Sequence, residues 1–526
     1  MPQVGKVLAL FAVLFVLASP QGIFAEGFRG GLDEAFGPRF HPDARPAPPG
    51  AKHRPRHAFD GAGSVSHWNE IAIDASGLDH TPIAPGENRA VFGEQLGPVR
   101  ASRAMAIIHL AIFDAVNAIE GGYKSYTGVG PAPIGTSMKA AIAQAAHDTM
   151  VALFPSQAPS FDDQLADDLT DIPDGRLKTN GIGLGRRTAA AILAARANDG
   201  SERPGPREPR VGMEFFTSND PGKWRQDPVS LIPIALGAYW GEVKPFVLER
   251  ADQFRVPVPP ALDSHAYADA FNEVKAIGGC GNDPADCMGG SPTPTERTAE
   301  QTQIGTYWAY DGTPSLCAPP RLYNQITMRI AHKMGTDNNA LELARLLALV
   351  NVAMADAGIA VWESKYYYQY WRPVTGIREA DEHTGPTGLG DDNPATVGDT
   401  TFLPLGAPAS NLSGPNFTPP FPAYPSGHAG FGGALFEMLR KYYRTDRIPF
   451  TFISDEFNGV TRDNLGTARP VVERSFSSLS QAEEENGQSR IYLGIHWAFD
   501  KTEGIAQGRR VADYVFKNIL QPRNRQ

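Results

Sequence analysis

An all-α fold, two packed helical bundles with long Pro-rich loops, is what three features of this 526-residue chain predict. Apolar residues recur at three- and four-residue spacing in one segment after another. No stretch sustains an alternation of period two. Between the periodic segments lie long stretches rich in Pro. A chain of this length exceeds one ordinary core and is expected to build two or three core units.

The elements follow in order. Residues 1–25 read as a secretory signal peptide: Lys6 supplies a positive start, residues 7–18 are an apolar run too short for a bilayer, and Ile23-Phe24-Ala25 offers a cleavage site before Glu26. No later segment reads as long and apolar enough to cross a membrane. The mature protein is therefore expected to be soluble, secreted or periplasmic, with no membrane partner. Residues 26–64, rich in Gly, Pro, Arg and His without apolar periodicity, read as a flexible leader, and their His41, His53 and His57 as solvated. An N-terminal helical half is expected over 65–300 and a C-terminal half over 301–526. Helices are expected at 100–119, where Gly121-Gly122 ends the pattern, and at 138–154, 183–198 and 264–277. Residues 341–362 are apolar nearly all round, as a helix in the middle of a bundle would be. Further amphipathic helices are expected at 430–443 and 505–520. The Pro-rich loops span 200–260, 278–296 and 381–424, long enough to be functional or disordered.

The formal net charge of -10 argues against nucleic acid and anionic membranes as partners, so an anion site must be built locally from clustered cations. Cys280 and Cys287 flank a Gly/Asn/Asp/Pro loop and are the favoured disulfide pair, leaving Cys317 over, although spacing alone leaves the pairing open.

Three segments carry chemistry. The first is Lys365-YYYQYW-Arg372-Pro373: two cations on nearly one helix face, with Pro373 ending the helix at Arg372, amid aromatic residues that suggest a partly buried strip. The second is Tyr424-Pro425-Ser426-Gly427-His428, ahead of an apolar helix. Ser426 and Gly427 would offer free backbone N–H groups at a helix N-terminus, and His428 a proton. A plain Ser cap beside a His is the alternative. The third is Ser489-Arg490-IYLGI-His496-WAF-Asp500. Arg490 is a fork donor, and Asp500 lies four residues from His496, close enough on a helix to bond one imidazole nitrogen and leave the other free. A strict helix would separate Arg490 from His496, so either Gly494 breaks the helix or the Arg reaches round. His109, Asp114 and Asp356, all in apolar helices, read as structural.

In this order, K-x6-R-P, P-S-G-H and S-R-x5-H-x3-D, the chain resembles the vanadium-dependent haloperoxidases, which share their site with the type 2 acid phosphatases. The likeness runs from about Glu300 (EQTQIGTYWAYDG) through LARLLALVNVAMADAGIAVW and PPFPAYPSGHAGFGGALFEMLRKYY to Asp500, with a fainter echo at 103–119. The resemblance implies orthovanadate as cofactor, with no heme. Lys365, Arg372 and Arg490 would bind its equatorial oxygens, and Ser426 and the Gly427 N–H would hydrogen-bond them. His496 would be the axial metal ligand and His428 the acid–base residue. Asp311, in Tyr310-Asp311-Gly312, looks like the carboxylate that pairs with Arg490. It also implies hydrogen peroxide, halide and a small organic acceptor as partners, and oxidation of chloride or bromide to hypohalous acid through a peroxovanadate at His496. Trp362 and Phe421 follow the fungal chloroperoxidase pattern for the halide pocket, where algal bromoperoxidases carry Arg and His. The alternative on the same residues is an exported acid phosphatase or phosphotransferase with His496 as nucleophile. A non-catalytic oxyanion binder would not need both histidines.

Overall fold

The computed structural model describes residues 31–42, 61–202, 215–283, 287 and 290–523. The expected signal peptide and the leader residues His53 and His57 lie outside the described residues. Fourteen α-helices carry the described chain: α1 (Leu32–Phe36), α2 (Gly61–Asp79), α3 (Pro98–Glu120), α4 (Met138–Leu153), α5 (Ala158–Thr170), α6 (Arg176–Arg196), α7 (His265–Ile277), α8 (Ala299–Tyr307), α9 (Pro319–Met334), α10 (Ala340–Tyr368), α11 (Pro373–Arg378), α12 (Gly427–Tyr443), α13 (Leu479–Tyr492) and α14 (Ala498–Asn518). Two small antiparallel pairs complete it: β1 (His41–Pro42) with β2 (Leu412–Ser413), and β3 (Phe450–Asn458) with β4 (Val471–Phe476).

The middle of the fold is α10. Asn339 caps it by accepting from the Glu342 N–H at 2.9 Å, and its run of Ala, Leu and Val is buried nearly throughout. Each fully buried Leu, Val or Ile contributes about 1.5–3 kcal/mol, and α10 holds its place by the number of such side chains. It packs against α3, α12 and α14, and the largest hydrophobic cluster runs from Ala62 to Leu520, so both halves of the chain share it. By length and composition α3 and α10 could each cross a membrane, contrary to expectation; their apolar windows are 94% and 100% buried inside the protein, as befits core helices. Helices α12 and α14 approach at backbone distance: a Cβ on Gly508 would lie 2.0 Å from the Gly430 carbonyl oxygen, so only glycine fits there.

Three expectations need correction. The leader expected over 26–64 is folded at 31–42, where α1 and β1 pack, and α2 already begins at Gly61. The few apolar residues, Leu32, Ala35, Phe36 and Phe40, are spaced among Gly, Pro and charged ones, which hid this segment. The hairpin β3–β4 was not foreseen. Its inward positions include Ser454 and Glu456, both fully buried, so the strand does not alternate apolar with polar. Finally, Lys365 and Arg372 do not share a helix. Helix α10 stops at Tyr368, Gln369 turns left-handed (φ 53°), and Arg372, extended as a residue before Pro must be, caps the new helix α11. The Cys280–Cys287 disulfide forms, and Cys317 is a buried free thiol.

Candidate active site

The seven residues singled out by the three motifs converge from five segments of the C-terminal half. Lys365 comes from the last turns of α10, Arg372 from the cap of α11, and Ser426, Gly427 and His428 from the start of α12. Arg490 comes from the end of α13, and His496 from the turn before α14. Gly494 does break the helix. Its φ of 70° and a Cβ position 2.3 Å from the Gly278 carbonyl oxygen require glycine, and the turn swings His496 back beside Arg372. Asp500 therefore meets His496 across a turn rather than along a helix.

The cations are buried. Lys365 is 0% exposed, and its ammonium donates to the carbonyls of Pro422 (2.7 Å) and Ala423 (2.9 Å), which leaves one N–H. Burial, reinforced by Arg372, holds its pKa well below the usual lysine value. Arg372 donates to the carbonyls of Phe421 (2.9 Å), Ile495 (2.8 Å) and Pro419 (3.3 Å). Burial brings its pKa down to about 9. Arg490 gives Nη2 to both oxygens of Asp311, at 2.7 and 2.8 Å, as the motif comparison implied. Its Nε and Nη1 are buried and have no hydrogen-bond partner among the described residues. An unpaired buried donor costs about 1–3 kcal/mol, more when charged. Burial pushes the Asp311 carboxyl up against the pull of Arg490.

The histidines are held in defined tautomers. His496 lies 2.7 Å through Nδ1 from Asp500 Oδ2 and 2.9 Å through Nε2 from Arg372 Nη1. An ionised carboxylate only accepts and a guanidinium only donates, so Nδ1 carries the proton and Nε2 the lone pair. Asp500 Oδ2 also accepts the Trp497 N–H at 3.0 Å, and burial raises this carboxyl to about 7. His428 Nε2 is bonded to the Ala309 carbonyl, so Nε2 is protonated and Nδ1 is free to accept. Burial first, then the cations, hold both imidazoles well below their normal pKa.

Ser426 caps α12 through its side chain, accepting from Ala429 N at 3.4 Å, and its own N–H bonds the Asp500 carbonyl. Gly427 faces Trp362: a Cβ there would come within 3.2 Å of the indole. Trp362 and Phe421 pack with their rings tilted by 53° and centroids 4.9 Å apart, and the Lys365 ammonium lies 5.6 and 5.0 Å from their rings. The indole N–H is taken by the Leu236 carbonyl at 3.0 Å.

A cleft of about 660 Å³, counting the space open at its mouth, has Asp311, Gly427, His428, Arg490 and His496 among its lining. Lys365, Arg372 and Ser426 do not line it and sit behind. Sequence reasoning missed much of the wall: Phe36, Ile232, Ile234, Leu236 and Phe417. It also missed the hairpin support of Asp311, in which buried Glu456 bonds Arg469 (2.7 Å), Ser410 (2.6 Å) and the Tyr310 N–H (3.3 Å). The Pro-flanked spacing of Ile232 and Ile234 was the one available signal for the wall. Of the residues read as structural, Asp114 bonds Tyr126 and Thr127, and Asp356 accepts three N–H groups at 246–248. Both ring nitrogens of His109 lack a hydrogen-bond partner among the described residues.

Buried cations around imidazole lone pairs, in a mostly helical bundle, make a site whose chemistry suits an oxyanion. The comparisons agree with it. A family profile described as the VCPO second helical-bundle domain matches residues 345–525. The vanadium chloroperoxidase of Curvularia inaequalis is 32% identical over 518 residues, covering 83% of this chain and 78% of that protein. A bacterial vanadium-dependent iodoperoxidase has the same fold, with a TM-score of 0.66 at 23% identity, over 90% of this chain and 99% of that one. So does an apo-type bacterial vanadium-dependent chloroperoxidase, with a TM-score of 0.59 at 17% identity, over 80% and 94%. The chain belongs to the vanadium-dependent haloperoxidase family.

Proposed function

We propose that this chain is a vanadate-dependent haloperoxidase that oxidises chloride or bromide with hydrogen peroxide to hypohalous acid. The observation that carries the reading is Arg490, whose two unpartnered buried donors open on the same cleft as His496 and His428. Such donors, beside two further buried cations, suit the oxygens of a tetrahedral oxyanion. Arg490, Arg372, Lys365, Ser426 and the Gly427 N–H would hold its oxygens, and the lone pair on His496 Nε2 would ligate the metal. Bound vanadate supplies Lewis acidity toward peroxide without changing oxidation state.

The protein's own groups do the rest. Asp500 on one side and Arg372 on the other fix the His496 tautomer, with the proton on Nδ1 and the lone pair on Nε2. Lys365 is held among Pro422, Ala423 and two aromatic rings, where the field of one N–H is undiluted by water. Burial first and the cations second depress His428, and an anion beside Lys365, Arg372 and Arg490 would offset the part due to charge and move its pKa up. His428 can then take a proton on Nδ1 and return it as peroxide, halide and a proton yield hypohalous acid and water. Trp362 and Phe421 form the wall where halide would approach, and their pattern supports chloride as well as the more easily oxidised bromide.

The His496–Asp500 pair also favours a second reading. An imidazole whose Nδ1–H is held by a carboxylate is poised to attack phosphorus through Nε2, so phosphate-ester hydrolysis by the vanadate-free protein is the alternative. One experiment separates the two. The protein is stripped of vanadate, then assayed with peroxide and bromide or chloride before and after vanadate is restored. The haloperoxidase reading expects halogenation only after restoration. Efficient ester hydrolysis with no halogenation after restoration defeats it.

A further inference from the structure

The segment 31–42 forms one wall of the active-site cleft. Ala35 and Phe36 line it beside Ile232, Ile234, Leu236 and Phe417. Among the described residues, the segment is held by the following contacts. Phe36, Phe40 and Phe417 form a triangle of edge-to-face rings with centroids 5.6, 5.9 and 5.9 Å apart, and interactions of this kind are worth about 0.5–1.5 kcal/mol each beyond burial. His41 pairs with Ser413 and Pro42 with Leu412. The Arg39 guanidinium donates to the Val229 carbonyl. Phe40 is fully buried, and Phe36 keeps only 7% of its surface exposed. The same cluster contains Leu493 and Ile495, next to His496. The wall is therefore fixed to the floor.

Wall and floor differ in chemistry. His428, Arg490 and His496 make a polar floor, whereas the wall from Phe36 to Phe417 presents carbon. The wall from Phe36 to Phe417 offers no donor to peroxide or to a halide ion, and a desolvated anion needs donors. An aromatic ring does gain, at about 25 cal/mol per Å² of apolar surface removed from water. We propose that Phe36 is a specificity-determining residue, which sets the size of aromatic acceptor that is halogenated within the cleft rather than in bulk solution. This rests on the haloperoxidase reading. The acceptor class is an electron-rich, uncharged phenol or fused phenol. In the step its ring carbon bonds to the halogen of hypohalous acid. The oxygen–halogen bond breaks, and the ring proton leaves with the released hydroxide as water.

The test compares wild type, Phe36→Ala and Phe36→Trp in their vanadate-loaded forms. Each brominates an equimolar mixture of phenol and 2-naphthol, and the product ratio is read. One extra or missing pocket group changes selectivity by about 10- to 200-fold. Phe36→Ala is expected to raise the naphthol-to-phenol ratio at least tenfold, and Phe36→Trp to lower it by a similar factor. Equal ratios in all three proteins, matching reagent hypobromous acid in solution, overturn the proposal. Should wild type form no hypohalous acid at all, the enzymatic reading has failed instead. Equilibrium titration with 2-naphthol then decides the cleft, where unchanged affinity in Phe36→Trp overturns the size assignment and at least fivefold weaker binding upholds it. Phe36→Leu replaces Phe36→Ala if the latter does not fold.

Discussion

Asp500→Asn changes one charge and almost no volume, and it isolates what holds His496 in its working tautomer. In the structure one carboxylate oxygen, Oδ2, accepts from His496 Nδ1 at 2.7 Å and from Trp497 N at 3.0 Å, with the carboxylate fully buried. An Asn in its place has two options. With its oxygen toward Nδ1, it keeps the tautomer but replaces a charge-assisted hydrogen bond with a neutral one. With its NH2 toward Nδ1, it drives the imidazole proton to Nε2, where the Arg372 Nη1 donor already lies at 2.9 Å. Either outcome weakens Nε2 as a ligand. A hydrogen bond to a charged group is worth about 1.5–3 kcal/mol, so vanadate should bind roughly 10- to 100-fold more weakly, in line with other outer-shell substitutions. The vanadate-free protein should lose little stability, because Asn is cheaper to bury than a carboxyl that burial has already raised to about 7. The assay is an equilibrium vanadate titration beside a thermal melt. Affinity within twofold of wild type would refute the reasoning, as would weaker binding that merely tracks a large loss of stability.

Other predictions test separate parts. His428→Ala should keep vanadate affinity within about threefold yet lose at least 100-fold in kcat, as expected for an acid–base group; equal losses of both would reassign it to oxyanion binding. Glu456→Ala leaves Arg469, 10% exposed as a side chain, without its buried partner, and should cost about 3–5 kcal/mol in urea unfolding; a loss under 1 kcal/mol would show that the hairpin does not brace Asp311. Asp356, raised by burial from 3.8 to about 6 despite three backbone N–H donors, favours the folded state most when protonated. Its contribution is therefore full below about pH 4 and lost as pH rises through about 6. At 1.36 kcal/mol per pKa unit, the stability of wild type relative to Asp356→Asn should fall by about 3 kcal/mol over the whole titration, about 2.4 kcal/mol of it between pH 4 and pH 7. A pH-independent difference would contradict this.

The site was far more legible in the sequence than the surface around it. Lys365, Arg372, the Ser426–His428 turn, Arg490 and His496 stand in short runs with unusual chemistry, and each run contains a Pro or Gly that shapes the backbone: Pro373, Pro425 with Gly427, and Gly494. The large apolar helix was legible too, because α10 has no polar face to confuse the period. What escaped depends on contacts far apart in the chain. Phe36 becomes a cleft wall only by meeting Phe417, and nothing near residue 36 says so. Strand β3 turns Ser454 and Glu456 inward, where Tyr307, Ser410 and Arg469 satisfy them, so its alternation cannot be read as apolar against polar. The helix break between Lys365 and Arg372 was hidden because Gln369, which adopts φ 53°, is not a residue that announces a left-handed turn.

The central claim is that His496 Nε2 anchors vanadate in a cage of buried cations. Equilibrium titration of vanadate into wild type and His496→Ala tests it without reference to turnover. Wild type should bind tightly, and His496→Ala should bind at least 100-fold more weakly while its remaining cations still attract phosphate and vanadate alike. Equal vanadate affinity in the two proteins would contradict the account.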